Sequence, residues 1–188
     1  MKTTILVLST VFSLFLLPQK ELESNVASKY ITRTATISFN SSMPGFEEVA
    51  AVNNKSSIVL NAETDELAAL ALVKEFKFKV ALMEEHFNEN YIESDLYPKA
   101  ILRGQLENFS VSDLNSAPQE VTLTGTLEMH GQKKEILIPI RLSKTDDGVQ
   151  LSASLDVNPE KDFGIKIPSV VRKKVSDTTT ITVEALLK

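Results

Sequence analysis

The side chains that could support metal binding are concentrated in one short segment. Glu84, Glu85, His86 and Glu89 lie within six residues of each other. A helix would place Glu85 and Glu89 on one face, but His86 is offset from that pair. No second histidine lies four residues away, as a helical zinc motif requires. We therefore interpret the segment as a solvated helix face and predict no metal site, with metal binding around Glu85 and His86 as a minor alternative.

Covalent catalysis finds as little support. The chain has no cysteine, which removes thiolate nucleophiles, disulfides and cysteine-ligated metal centres. Its two histidines, His86 and His130, lie in a predicted helix and a predicted turn and suggest no base with an orienting partner. No serine lies in a nucleophile elbow. We expect neither enzymatic activity nor a cofactor.

The composition indicates one globular domain and disfavours strongly acidic partners. The 188 residues include 20 basic and 25 acidic side chains, so the net charge is -5. That balance disfavours nucleic acid as a partner. The 43 % share of apolar residues is ample for a core.

The first residues have the proportions of a secretory signal peptide. Lys2 precedes an apolar run over residues 5–17, which Pro18 follows. This run is too short to span a membrane, which takes about 20 residues. We expect a signal peptide over residues 1–27, with Ser24 as an alternative cleavage position, and a mature domain over residues 28–188. The expected location is the periplasm or the exterior, without a stable membrane anchor; a retained N-terminal anchor is the alternative.

Two-residue alternation of apolar and polar side chains dominates the rest of the chain. It is clearest over residues 121–129, 136–142 and 149–157, where turn residues at 130–131 and 145–148 separate the runs. These three runs predict an antiparallel meander with one buried face. Further strands are predicted over residues 31–39, 56–62, 67–80, 99–109 and 178–187, and short helices over 81–90 and 168–175. Pro139 inside one strand predicts an edge, a bulge or a bend there.

Eight antiparallel strands without long helices favour a closed barrel, because closure removes exposed strand edges. The fold class is therefore mainly all-β: an eight-stranded antiparallel barrel with one or two short helices, a flattened sandwich being the alternative. The segment from Leu67 to Val73 is apolar at every position, so alternation does not decide which of its faces points inward. We expect its outer face to be covered by a helix or a terminal segment.

A run of segments in the middle of the chain has an unusual sequence: the strand with Phe76 and Phe78, residues 82–87, residues 90–95 and residues 97–100 leading to Gly104. These segments resemble the YceI-like family of exported barrels. In the second half, residues 123–127, the turn at 130–131 and residues 162–165 agree as well. The resemblance covers roughly residue 30 to the C-terminus, whereas residues 41–48 stand in place of the glycine-phenylalanine hairpin that is usual in family members that bind isoprenoids.

The resemblance implies a lipocalin-like barrel, periplasmic in Gram-negative bacteria, that encloses a polyisoprenoid or an isoprenoid quinone in an apolar tunnel. It brings no catalytic motif and is compatible with a homodimer. Eight apolar side chains are the candidates for the tunnel wall: Leu70, Leu72, Phe76, Phe78, Met83, Phe87, Leu102 and Leu123. The alternative is a barrel filled by its own side chains, which acts as an envelope interaction or stress-response module through its outer surface.

Overall fold

The structure, a computed structural model, describes residues 29–188. Nine β-strands carry the fold: β1 (Lys29–Ser42), β2 (Ala50–Asn61), β3 (Glu66–Leu72), β4 (Lys77–Phe78), β5 (Lys99–Leu106), β6 (Gln119–Met129), β7 (Gln132–Thr145), β8 (Gly148–Val157) and β9 (Val175–Leu187). The α-helices are α1 (Ala81–His86), α2 (Pro159–Phe163) and α3 (Ser169–Arg172). A π-helical turn, Phe87–Tyr91, continues α1, and 3-10 turns span Val73–Glu75 and Val111–Asp113.

The eight long strands form a closed antiparallel barrel, as the alternation predicts. Their order is β1-β9-β8-β7-β6-β5-β3-β2, and the pairing of β1 with β2 closes the ring. The ninth strand, β4, has two residues and pairs with the start of β2. Because the barrel is closed, each of its long strands pairs with a neighbour on both sides over at least part of its length.

One seam of the barrel is only partly paired. The register of β7 and β8 runs from Thr145↔Gly148 to Ile140↔Ala153 and ends there. Pro139, the next residue of β7, has no N–H to donate, and it still aligns with Thr122 of β6. The irregularity expected at Pro139 is therefore the end of pairing between β7 and β8, while β7 stays paired with β6. Helix α2 packs against β7 over this gap, where Phe163 is fully buried.

The two ends of the barrel differ in how they are filled. In the packed half, where β2–β3, β5–β6 and β7–β8 are joined, apolar side chains fill the interior. Each of the following is at most 5 % exposed: Ala35, Ile58, Leu60, Leu106, Leu114, Leu123, Leu142, Leu151 and Leu187. The cavity half lies at the opposite end, where residues 43–49, 73–98, 130–131 and 158–174 join the strands. It holds the candidate site.

The prediction of one strand over residues 67–80 is wrong in its second half. Strand β3 pairs with β5 as far as Leu72↔Lys99. The next residue on the β5 side is Pro98, which cannot continue the ladder as a donor. Its carbonyl instead accepts the N–H of Val73 at 3.0 Å, and a 3-10 turn follows. The chain therefore turns across the mouth of the barrel before β4.

The exposure of side chains along β3 shows which of its two apolar faces points into the barrel. Leu67 and Ala71 are buried, whereas Ala68 is exposed and Leu72 is 44 % exposed. We expected a helix or a terminal segment to cover this outer face, but none from residues 29–188 covers Leu72. The predicted signal peptide, residues 1–27, lies outside the described residues. Within the described part of the chain, no helix combines the length and the apolar character needed to cross a membrane.

Candidate functional site: an apolar cavity in the barrel

The cavity half of the barrel encloses about 410 Å³ of space. Side chains from six strands form most of its wall: Ile37, Phe39, Ala69, Ala71, Ala100, Leu102, Leu127, Leu155, Ile181 and Val183. Segments between strands close the rest, with Met83 and Phe87 on one side and Ile165, Ile167 and Val171 on the other. This volume falls in the range of small-molecule sites. The alternative of a barrel filled by its own side chains therefore applies only to the packed half.

Small side chains on two paired strands create the space. Ala71 of β3 aligns with Ala100 of β5, and Ala69 aligns with Leu102, all facing the cavity. On the outer face the larger side chains Leu70 and Ile101 align with each other. At these positions β3 places alanine inside and leucine outside, which leaves room for an occupant.

Four phenylalanine rings form one wall. Phe39 of β1 lies 5.5 Å from Phe76 and 5.4 Å from Phe87, measured between ring centroids. Phe78 of β4 lies 5.1 Å from Phe87. These tilted and edge-on contacts join β1, the β3–β5 segment and the π-helical turn into one aromatic surface. Such a surface offers contact area to a chain of apolar groups and no hydrogen-bond donor.

Helix α1 is held over the mouth by one carboxylate. Glu84 accepts hydrogen bonds from Lys77 at 2.6 Å and from the Phe78 backbone N–H at 3.2 Å. The Lys77 hydrogen bond is the main cause that holds the pKa of Glu84 below its ordinary value, against an opposing effect of burial. Glu84 thereby fixes the helix that carries Met83 into the cavity wall.

Polar groups lie at the opening of the cavity. Glu47, His86 and Lys174 contribute to its wall and are themselves exposed, which places them at the rim. The two polar side chains in the wall that are buried, Ser41 and Thr179, hydrogen-bond to each other at 2.6 Å. The inner surface therefore presents apolar groups to an occupant, and charge is found only where the cavity meets water.

His130 connects two of the segments around the cavity. Its Nδ1 donates to the carbonyl of Phe163 at 2.9 Å, and its Nε2 lies 3.0 Å from Oε2 of Glu93. The ring of Tyr97 packs on the imidazole at a centroid distance of 4.5 Å. His130 has a φ of 51°, in the left-handed region that the tight turn before β7 requires. This histidine is structural, a role that its position in a turn did not reveal.

Helix α2 has a defined beginning and end. The side chain of Asn158 accepts the N–H of Lys161, Pro159 occupies the first turn, and Gly164 ends the helix at a φ of 66°. Asp162 pairs with Lys134 of β7 and accepts the Asn158 backbone N–H at 2.7 Å. Burial raises the pKa of Asp162, but these two hydrogen bonds outweigh it and hold that pKa below the ordinary value of 3.8.

Five of the eight side chains expected in the tunnel wall line the cavity: Phe76, Phe78, Met83, Phe87 and Leu102. The placement of Leu70 and Leu72 inside the barrel is wrong. Both project from the outer face of β3, because the inward positions of that strand are Leu67, Ala69 and Ala71. Leu123 is internal and 1 % exposed, but it lies in the packed half, directly behind the side chains that line the cavity.

Other wall residues were not assigned to the site from the sequence. Ile37, Ile181 and Val183 have the alternation of inward strand positions, which does not separate the hollow half from the packed half. Ile165 and Val171 follow α2, a helix that the pattern Asn-Pro followed by glycine five residues after the proline could have indicated. Across residues 29–188, no three metal-ligating side chains lie close enough to hold an ion together.

The chain matches one family model and is similar in fold to several solved structures. The family model described as the YceI-like domain matches residues 29–187. No curated protein matches the chain in sequence.

Among solved structures, a polyisoprenoid binding domain from Saccharophagus degradans implicated in plant cell wall breakdown is similar, with a TM-score of 0.75. The two chains are 13 % identical over 86 % of this chain and 98 % of the other. Burkholderia cenocepacia BcnA has a TM-score of 0.65, at 11 % identity over 80 % of this chain and 94 % of its own. A Campylobacter jejuni YCEI protein has a TM-score of 0.51, at 14 % identity over 99 % of both chains. At these identities the likeness shows a shared fold.

Proposed function

This chain belongs to the YceI-like domain family, and we propose that its cavity binds an isoprenoid lipid, either a polyisoprenoid or an isoprenoid quinone. The observation that carries the proposal is the 410 Å³ cavity, whose inner wall is formed mainly by aliphatic and phenylalanine side chains. The likeness to a structure described as a polyisoprenoid binding domain supports the same class of ligand.

Binding would be driven by burial of the chain alone. Each buried CH₂-sized group contributes about 0.8 kcal/mol, so one five-carbon isoprene unit contributes about 3 to 4 kcal/mol before ordering costs. The four phenylalanine rings of the wall, which include Phe39 and Phe87, would contact the methyl branches and double bonds of the chain. A polar headgroup would stay at the rim, where Lys174, His86 and Glu47 meet water.

The role that fits this arrangement is carriage and not chemistry. The buried hydroxyls in the wall, Ser41 and Thr179, hydrogen-bond to each other, and His130 has both ring nitrogens engaged in structural contacts. A mainly apolar inner wall, with the charged groups Glu47 and Lys174 at the rim, supports binding and release of an unaltered lipid. We propose that the protein works in the periplasm after removal of residues 1–27.

The test uses two phenylalanine substitutions one residue apart on β3. Ala69→Phe places a ring in the cavity, whereas Ala68→Phe places the same ring on the outer face of the strand. Binding of farnesol is measured by native mass spectrometry and isothermal titration, and thermal unfolding confirms that both variants fold. We expect the wild type and Ala68→Phe to bind alike and Ala69→Phe to bind at least about tenfold more weakly, since a ring displaces several CH₂-sized groups of ligand.

Equal binding by all three proteins would contradict a site inside the barrel. An absence of farnesol, geranylgeraniol and quinone binding in the wild type would contradict the carrier function itself. Denaturing mass spectrometry of the protein purified from its own cell envelope adds an independent observation. An apolar chain lipid released on denaturation is the expected result.

A further inference from the structure

The cavity ends inside the barrel and does not pass through it. Its deepest wall residues on neighbouring strands are Ala69, Leu102 and Leu127. Beyond them the inward side chains are buried and belong to the packed half, among them Leu67 and Leu123. An apolar chain that enters from the mouth must therefore stop at this boundary.

A pair of glycines explains how the boundary is built. Gly104 of β5 and Gly125 of β6 lie opposite each other, between the level of Leu102 and Leu127 and the level of Leu123. A Cβ atom on Gly104 would lie 2.9 Å from Cδ1 of Leu123. The Leu123 side chain thus leans over Gly104, toward the cavity, and occupies the space that a side chain at Gly104 would take. At Gly125 the backbone of β5 takes that space instead, because a Cβ there would lie 2.2 Å from the Arg103 carbonyl oxygen.

Leu67 of β3 lies at the same boundary, and together with Leu123 of β6 it forms what we call the floor of the cavity. It aligns with Gly104 in the register of β3 and β5 and is the next inward residue after Ala69. Leu67 is 5 % exposed and Leu123 is 1 % exposed, so both are held by their neighbours. Large aliphatic side chains in a close-packed interior do not withdraw to admit a longer ligand without loss of packing.

We propose that Leu67 and Leu123 set the upper length of the isoprenoid chain that the barrel encloses. This inference rests on the proposed function, and it concerns which members of the ligand class are taken up completely. Chains shorter than the cavity gain contacts with each added unit. Chains that reach the floor leave their additional units outside the mouth, in water, where those units add no affinity.

The test measures affinity across geraniol, farnesol, geranylgeraniol and solanesol, which are all-trans alcohols that differ in the number of isoprene units. For the wild type we expect affinity to rise by at least about tenfold per added unit up to a limit and then to level off. Leu123→Ala deepens the cavity and should move that limit to a longer alcohol. Leu67→Ala should act in the same direction and provides a second variant if the first does not fold.

The matched control is Leu142→Ala, which truncates a fully buried leucine in the packed half, away from the floor. It should lose comparable stability and keep the wild-type length limit. A limit that stays in place in both floor variants, while prenyl alcohols still bind, would overturn the floor and leave the carrier function intact. Failure of every alcohol to bind the wild type would overturn both.

Discussion

Phe163 is the buried side chain of α2, the helix that packs against β7 at the incomplete β7–β8 seam. It is fully buried at the end of α2, and its carbonyl accepts the hydrogen bond from His130. Phe163→Ala would leave a ring-sized void where backbone pairing between β7 and β8 is already absent. Truncation of a buried phenylalanine costs about 3 to 5 kcal/mol. For a domain of this size that corresponds to a fall in Tm of about 6 to 20 °C.

Thermal and urea unfolding followed by circular dichroism measure this loss. Phe46→Ala is the matched control, because Phe46 is 49 % exposed and its truncation should change stability by no more than about 0.5 kcal/mol. A loss below about 1 kcal/mol for Phe163→Ala would refute the reasoning that α2 closes the seam by side-chain packing.

Three further predictions concern the same interior. Asp162→Asn should cost about 1 to 3 kcal/mol at neutral pH. Because the folded pKa of Asp162 is lowered, its contribution is present above the unfolded value, near 3.8, and is lost as the pH falls from there through the folded value. Urea titrations from pH 7 to 3 should show a difference between the two proteins that narrows as the pH falls below that value, and a difference that stays constant would contradict this. Gly125→Ala should lower stability by about 1 to 3 kcal/mol or more in urea unfolding, since its Cβ would lie 2.2 Å from the Arg103 carbonyl oxygen; wild-type stability would show that the close approach is absent. Leu123→Asp should prevent folding, as judged by circular dichroism, whereas Leu137→Asp on the exposed face of β7 should not; a folded Leu123→Asp would reject the assigned register.

Alternation of side chains predicted most strands of the barrel, and the removal of exposed strand edges favoured its closure. In β6 to β9 one face is apolar and the other mainly polar, so the residues that point inward can be read directly from the sequence. Strand β3 lacks that contrast, because alanine and leucine occupy both faces. In the structure Leu67, Ala69 and Ala71 point inside, and Leu70 and Leu72 point outside. A pattern based on polarity alone cannot detect such a choice.

The depth of the cavity could not be predicted from the sequence for a different reason. Whether Leu123 lines the cavity or lies below it depends on Gly104, a residue 19 positions earlier on the neighbouring strand. Helix α2 had local signals in Asn158, Pro159 and Gly164, yet its position over the β7–β8 seam follows from the end of pairing at Ile140. These features arise from contacts between strands, which periodicity along one strand does not encode.

Nuclear magnetic resonance of the protein with bound farnesol tests most directly whether the barrel encloses an isoprenoid chain. Intermolecular nuclear Overhauser effects report which side chains lie beside the methyl groups of the ligand. We predict effects to Phe87, Leu127 and Val183, which line the cavity. Effects confined to the outer-face residues Leu70 and Leu72, or an absence of effects to any cavity residue, would contradict the account.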